Sequence, residues 1–235
     1  MNKAGEAHNI SGIDLTIIYS KRRTIGISIR QDASVIIRVP ARTPMKTIER
    51  IVAGKAGWIK KHRDNYLENT SLRPGIKYCQ GETHMFRGKM LSLNITRSDR
   101  PSVSFNINSI ELFARNPEDR DEVKRILYRG YRQNAGQVFP VIMSEVLAEL
   151  HDYHFRPSLL IIRTMKRRWG SCSMKGLITL NTELIKLADR YIEYVIIHEL
   201  CHLKHHNHSK QYYEQLSELC PDWKSVRQEM KKYII

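Results

Sequence analysis

The chain has 235 residues and a mass of 27.5 kDa, room for one large domain or two small ones. With 41% hydrophobic and 27% charged residues, and only 12 Gly and 8 Pro, the composition excludes a disordered, collagen-like or low-complexity chain. Its 39 Lys+Arg against 24 Asp+Glu leave a net charge of +15, which favours anionic partners such as nucleic acid. No RNP-like aromatic motif or zinc-finger spacing accompanies that charge, so sequence-specific nucleic-acid reading is not expected. No apolar run is long enough to span a bilayer, and the residues after Met1 form no apolar leader, so neither a membrane span nor a signal peptide is expected. Cys79, Cys172, Cys201 and Cys220 form no CxxC pair and read as reduced thiols of a cytosolic protein.

Along the chain, Ile13–Tyr19, Thr24–Arg30 and Ser34–Val39 are predicted strands, the last two a hairpin turning at Gln31-Asp32-Ala33. From Pro44 to about Leu67 the apolar residues Ile48, Ile51, Val52, Ala56 and Ile59 recur at helical spacing, opposite a basic face that includes Lys46, Arg50, Lys60 and Lys61. Pro74-Gly75 marks a loop. Short strands follow near Thr83–Arg87, Leu91–Thr96, Val103–Ile107 and Ile110–Ala114. Val123, Ile126, Leu127, Tyr131 and Ala135 share a helical face, and Pro140 is expected to kink or break that helix before Ile142–Leu150 continues it. Leu159–Arg163 and Leu177–Asn181 are predicted strands, and Lys166–Cys172 a loop between them. Helices are predicted over about Asp189–His205 and Lys210–Leu219, with a last short one starting at Pro221. No internal repeat is apparent. A boundary near Asn116-Pro117 divides a β-rich N-terminal region with one basic helix (1–116) from a helix-rich remainder (117–235).

The segment Tyr194-Val195-Ile196-Ile197-His198-Glu199-Leu200-Cys201-His202 carries the chemistry. On a helix, His198 and His202 lie one turn apart on one face and can bind one Zn²⁺. Glu199 sits about 100° round the helix, beside the metal without being a ligand, where its carboxylate can take a proton from water. A random chain of this composition holds about 0.03 such HExxH patterns, so chance is a poor explanation. A third ligand is required, and His208 supplies it only if the chain turns back after about Lys204 or His205, with Asn207 suited to the turn. His205 and His206 read instead as a polar cluster at a helix end. A structural zinc site would need a fourth protein ligand, for which Cys172 and Cys220 are candidates.

Several segments together resemble one family. Arg168-Trp169-Gly170-Ser171-Cys172-Ser173, Gly176–Asn181, Tyr194–Leu203 and Asn207-His208-Ser209 are similar to the YgjP-like predicted zinc metallopeptidases, relatives of the SprT-like proteins. So are Ser20–Ile29 and Lys55-Ala56-Gly57-Trp58-Ile59, so the resemblance covers nearly the whole chain. Tyr212-Tyr213 stands where the family usually has Phe-Trp, and Ile185–Asp189 lacks the Pro often found before the zinc helix. The resemblance implies an α+β fold with a zincin-like C-terminal half, in which a small sheet lies beside the HExxH helix and its edge strand binds an extended peptide. It also implies one Zn²⁺ per chain, His198, His202 and His208 as its ligands, and Glu199 as general base.

Arg168 and Trp169 are candidates to line the cleft, although Trp169 reads equally as a core residue. Leu177 and Thr179 are candidates for a substrate-binding edge strand at Leu177–Leu180, which reads equally as an ordinary core strand. Tyr191, Tyr194, Tyr212 and Tyr213 could stabilise an oxyanion but read more simply as core tyrosines. The expected activity is zinc-dependent hydrolysis of a peptide or amide bond in a peptide or protein substrate. Two alternatives stand beside it: a nucleic-acid-associated protein, including a protease acting on DNA-bound proteins, and a noncatalytic structural zinc module.

Overall fold

A computed structural model describes residues 5–30, 33–71 and 76–233, with the side chains of 65–71 left aside. The turn expected at Gln31-Asp32 and the loop at Pro74-Gly75 lie outside the described residues. The architecture is α+β, and the chain divides into two compact units, Met1–Ile76 and Lys77–Ile235. None of the described helices is long and apolar enough to cross a membrane.

The first unit is a four-stranded sheet of β1 (Glu6–Ile10), β2 (Ile13–Ser20), β3 (Gly26–Ile29) and β4 (Val35–Pro40), followed by the helix α1 (Met45–Ser71). The strand order is β1-β2-β4-β3, with β2 and β4 parallel and the outer pairs antiparallel. Strand alternation turns Ile13, Leu15, Ile17, Val35, Ile37 and Val39 to one face, where Ile48, Val52 and Ile59 of α1 cover them. The expected hairpin is thus the antiparallel β3–β4 pair, and β1 is a strand that the sequence pattern did not reveal.

The second unit opens with the same plan. Strands β5 (Thr83–Phe86), β6 (Lys89–Arg97), β7 (Ser102–Phe105) and β8 (Ser109–Ala114) pair in the order β5-β6-β8-β7, with the central pair parallel. The long helix α2 (Arg120–Glu149) follows. The first hairpins correspond residue by residue. His8 pairs with Leu15 and His84 with Leu91, and each histidine contacts the glutamate two positions earlier, at 3.6 Å to Glu6 and 3.2 Å to Glu82. Each turn puts two residues at positive φ, Ser11-Gly12 and Arg87-Gly88. Contrary to the sequence reading, an internal repeat is therefore present. Glu6/Glu82, His8/His84, Gly12/Gly88 and Leu15/Leu91 are identical at matching places, and most of the residues between them have diverged.

Residue 116 lies within the second unit, between β8 and α2, so the division falls earlier than the sequence pattern suggested. Leu91, Leu93, Ile110 and Leu112 of the sheet share one core with Val123, Leu127 and Tyr131 of α2 and with Ile192 and Ile196 further on. Asp119 caps α2 by accepting from the amides of Asp121 and Glu122. The helix continues through Pro140, so the proline does not break it. The proline is exposed, and the carbonyl it deprives of a partner belongs to exposed Gly136, whose backbone can adjust while Phe139, Ile142 and Met143 stay anchored in the core.

The rest of this unit is a small sheet and three helices. Strands β9 (Leu159–Arg163), β10 (Gly170–Cys172) and β11 (Leu177–Asn181) pair in the order β10-β11-β9. A short 3-10 helix (Thr182–Lys186) leads to α3 (Asp189–Cys201), α4 (Lys210–Leu219) and α5 (Trp223–Met230). The segment Gly170–Cys172, expected as loop, is a strand because it pairs antiparallel with Ile178–Leu180.

Candidate metal centre

Helix α3 is held in the core by Ile192, Val195, Ile196 and Leu200, all at most 3% exposed. Its entry is clasped by the β5–β6 turn. The Arg87 and Gly88 amides donate to the carbonyls of Ile185 and Lys186, and the Arg87 guanidinium pairs with Asp189. Gly88 (φ +78) is needed here, since a Cβ would stand 2.9 Å from that of Ala188. The helix ends earlier than periodicity suggested, at Cys201, and His202 is its C-cap. The amides of Lys204 and His205 donate back to the Cys201 carbonyl, and the chain reverses. Ser209 then caps α4, its hydroxyl accepting from the Tyr212 amide at 3.3 Å. That cap sets His208 at the mouth of α4 and Tyr212 one turn inside it.

The three histidines converge. One ligand nitrogen from each of His198, His202 and His208 lies within 4.8 Å of the others, and no cysteine joins this group among the described residues. The Nε2 atoms of His198 and His208 face each other at 3.3 Å. Two nitrogens each about 2.1 Å from one tetrahedral ion would stand roughly 3.4 Å apart, so the spacing suits a shared ion. His202 Nδ1 lies 2.9 Å from the His205 carbonyl, which can only accept, so Nδ1 donates there and Nε2 is the nitrogen left to face a ligand. Burial, reinforced by His202 and His208, pushes His198 down to about 3, and His208 is lowered for the same leading reason. These two imidazoles are thus neutral near pH 7, as metal ligation requires. Tyr212 is fully buried, stacks on His202 at 4.7 Å and donates its hydroxyl to the His198 carbonyl at 3.2 Å.

Glu199 is 4% exposed, and its Oε2 has no hydrogen-bond partner, the mark of a group built for one. Burial pushes its carboxyl up to about 8, although the charge of Arg168 and the Cys172 amide pull it down. The carboxylate lies against β10: a Cβ on Gly170 would be 2.5 Å from Glu199 Oε1. Only glycine allows this approach. The loop before β10 is pinned by Asn181, which is fully buried and donates from Nδ2 to the carbonyls of Met165 at 2.8 Å and Arg168 at 2.9 Å. Its Oδ1 accepts from the Met165 amide at 3.2 Å. Gly170, Asn181 and Tyr212 thus shape the site. Tyr212 is the core tyrosine that the sequence pattern favours over an oxyanion role, and nothing in a sequence tells a buried asparagine from one in a surface turn.

The other expected residues divide. Arg168 is exposed and acts electrostatically on Glu199, while Trp169 is half-buried and packs against the core. Leu177 and Thr179 belong to β11, which is the middle strand and not the expected edge. Its backbone is paired on both sides, by β10 and β9, and Thr179 is buried. The free edge nearest Glu199 is β10. The hydroxyls of Tyr191 and Tyr212 are engaged by Glu229 and the His198 carbonyl, and Tyr213 stacks on Trp223.

No curated protein matches the sequence. Among solved structures, the Pyrococcus abyssi abylysin metallopeptidase zymogen is 23% identical, with a TM-score of 0.36, over 42% of this chain and 100% of that one. The Methanocaldococcus jannaschii jannalysin zymogen gives the same identity and TM-score over 41% of this chain and 97% of its own. The family described as YgjP-like, metallopeptidase domain, matches residues 23–233, which is most of the chain and nearly all of the second unit. The chain belongs to the YgjP-like metallopeptidase family.

Proposed function

We propose that the protein is a zinc-dependent metallopeptidase in which His198, His202 and His208 hold one Zn²⁺ and Glu199 is the general base. The observation that carries this reading is the convergence of three imidazole nitrogens within 4.8 Å, next to a buried carboxylate. Three neutral imidazoles suit zinc and leave one position open. The ion, once held, supplies Lewis-acid polarisation and lowers the pKa of water. The chain's own groups do the rest. The Glu199 carboxylate accepts the proton of the attacking water on one oxygen and returns it to the leaving amine. The charge of a bound ion would favour the ionised carboxylate needed for the first transfer, and the proton affinity that burial gives it suits the second. The free main-chain groups of β10 hold the substrate extended past Glu199.

Metal content by mass spectrometry, measured with hydrolysis of a quenched peptide library, tests the reading. Wild type should carry about one zinc per chain. His208→Ala should lose most of it. Glu199→Gln should keep the zinc and lose turnover by at least about a hundredfold. A fully active Glu199→Gln, or wild type that takes up no zinc at neutral pH, overturns it.

A further inference from the structure

A cavity of about 330 Å³ lies beside the metal centre, walled by the β10–β11 turn, the segment before β9 and the loop between His202 and His208. Arg156, Lys175, Lys204, His154 and His206 line it, and no acidic side chain does. Arg156, Lys175 and Lys204 are exposed and take part in no ion pair among the described residues. Lys204 is held in place without being neutralised: its ammonium stands 5.1 Å from the Phe155 ring centroid and 5.6 Å from that of Tyr153. The nearby carboxylate of Glu218 accepts from the Tyr153 hydroxyl. Gly176 (φ +73) closes the turn tightly enough that a Cβ there would touch Leu203, so the turn and the metal-binding loop form one wall.

The cavity lies at the end of the path past β10. The amides of Ser173 and Asn181 donate to the carbonyls of Leu177 and Trp169, so residues 169 and 173 face β11. By alternation, Gly170 and Cys172 turn their main-chain groups away from β11; the Cys172 amide is engaged by Glu199, which leaves the Gly170 groups and the Cys172 carbonyl at the free edge. Gly170 abuts Glu199, and the chain enters the cavity wall at Ser173, three residues or about 10 Å along the strand. A peptide extended along this edge delivers to the cavity a group about three residues from the bond beside Glu199.

We propose that this cavity is a carboxylate subsite. The preferred substrate then carries an Asp or Glu side chain, or its own C-terminal carboxylate, about three residues from the cleaved bond, and Arg156, Lys175 and Lys204 set that preference. The inference rests on the peptidase reading, which it deepens by naming a substrate class.

The test scans Glu, Gln and Lys through each position of a quenched peptide, with free or amidated C-terminus, against zinc-loaded wild type, Arg156→Glu and Lys204→Glu. Lys175→Glu replaces either variant that does not fold, and zinc content is measured in all. One position should favour Glu over Gln by about three- to tenfold in kcat/KM, as expected for a few solvent-facing ion pairs. The preference should vanish or pass to Lys in the variants while their zinc stays. An effect of amidation alone assigns the subsite to the chain terminus, and an effect of internal Glu assigns it to a side chain. Equal rates for Glu, Gln and Lys at every position and for both termini, or a preference that survives both charge reversals, overturns the proposal. If wild type cleaves nothing, the peptidase reading fails. Affinities of the same peptides for zinc-loaded Glu199→Gln, read by fluorescence anisotropy, then decide the subsite. Carboxylate-dependent binding lost in Arg156→Glu supports it, and indifference to the carboxylate overturns it.

Discussion

Replacing Gly170 with Ala adds one methyl group where β10 meets the zinc-site helix. That Cβ would stand 2.5 Å from Glu199 Oε1, 2.8 Å from Glu199 Cγ and 2.9 Å from Val195 Cγ1. All three distances are shorter than van der Waals contact, and two of them are to one side chain. The strand is tied to β11 and the helix is buried in the core, so the strain falls on Glu199. Overpacking of this kind costs about 1–3 kcal/mol. For a unit this size, about 2 kcal/mol lowers Tm by roughly 4–8 °C. Zinc content should not change, because none of the nearest atoms belongs to a histidine. Turnover should fall by about a hundredfold, the usual cost of an ångström-scale displacement of a reacting group. The decisive measurement is a double-mutant cycle by thermal unfolding. In a Glu199→Ala background both glutamate contacts are gone, and Gly170→Ala should cost less than about 1 kcal/mol, leaving a coupling well above the ~0.3–0.5 kcal/mol of independent sites. Equal costs in the two backgrounds would refute the reasoning.

Two further predictions follow from buried polar groups. Burial raises the folded-state pKa of Glu199 from 4.5 to about 8. Its contribution is therefore complete below pH 4.5 and is lost as pH rises through 8. Metal-free wild type should weaken relative to metal-free Glu199→Gln over that window, by up to about 5 kcal/mol, read from urea midpoints. Parallel pH profiles would show that the carboxyl titrates normally. Asn181→Ala leaves the Met165 amide and the Met165 and Arg168 carbonyls without their partner. It should destabilise by about 2–4 kcal/mol and remove hydrogen-exchange protection from Met165. An unchanged Met165 exchange rate would mean that another group orders the loop.

The α+β class, most of the element order and the centre of the site were legible in the sequence because they depend on local spacing. His198, Glu199 and His202 lie within five residues, and helix geometry alone places them. The apolar rows of α1 and α2 are likewise local signals. His208 was a harder case. Its separation from His202 required a chain reversal, which the structure provides through the turn at Leu203–His205.

What escaped the sequence depends on pairing between distant segments. A strand is an edge or a centre only by what lies on either side of it, so β11 could not be recognised as the middle of its sheet, nor Gly170–Cys172 as the free edge. The unit boundary escaped for a related reason. A β-rich stretch looks alike whether its sheet packs under its own helix or joins a larger core, and only the burial of Leu93 and Leu112 with Ile192 assigns it. The repeat was hidden because strand pairing tolerates many apolar exchanges and retains few marked residues. Close contact is not a sequence property either. Gly170 matters because Glu199 arrives from a helix far along the chain, and Asn181 because the loop it binds folds back over it. Local periodicity determined which residues could hold a metal, and tertiary packing decided what surrounds them, because burial, edge exposure and charge environment are shared among segments that no short window contains.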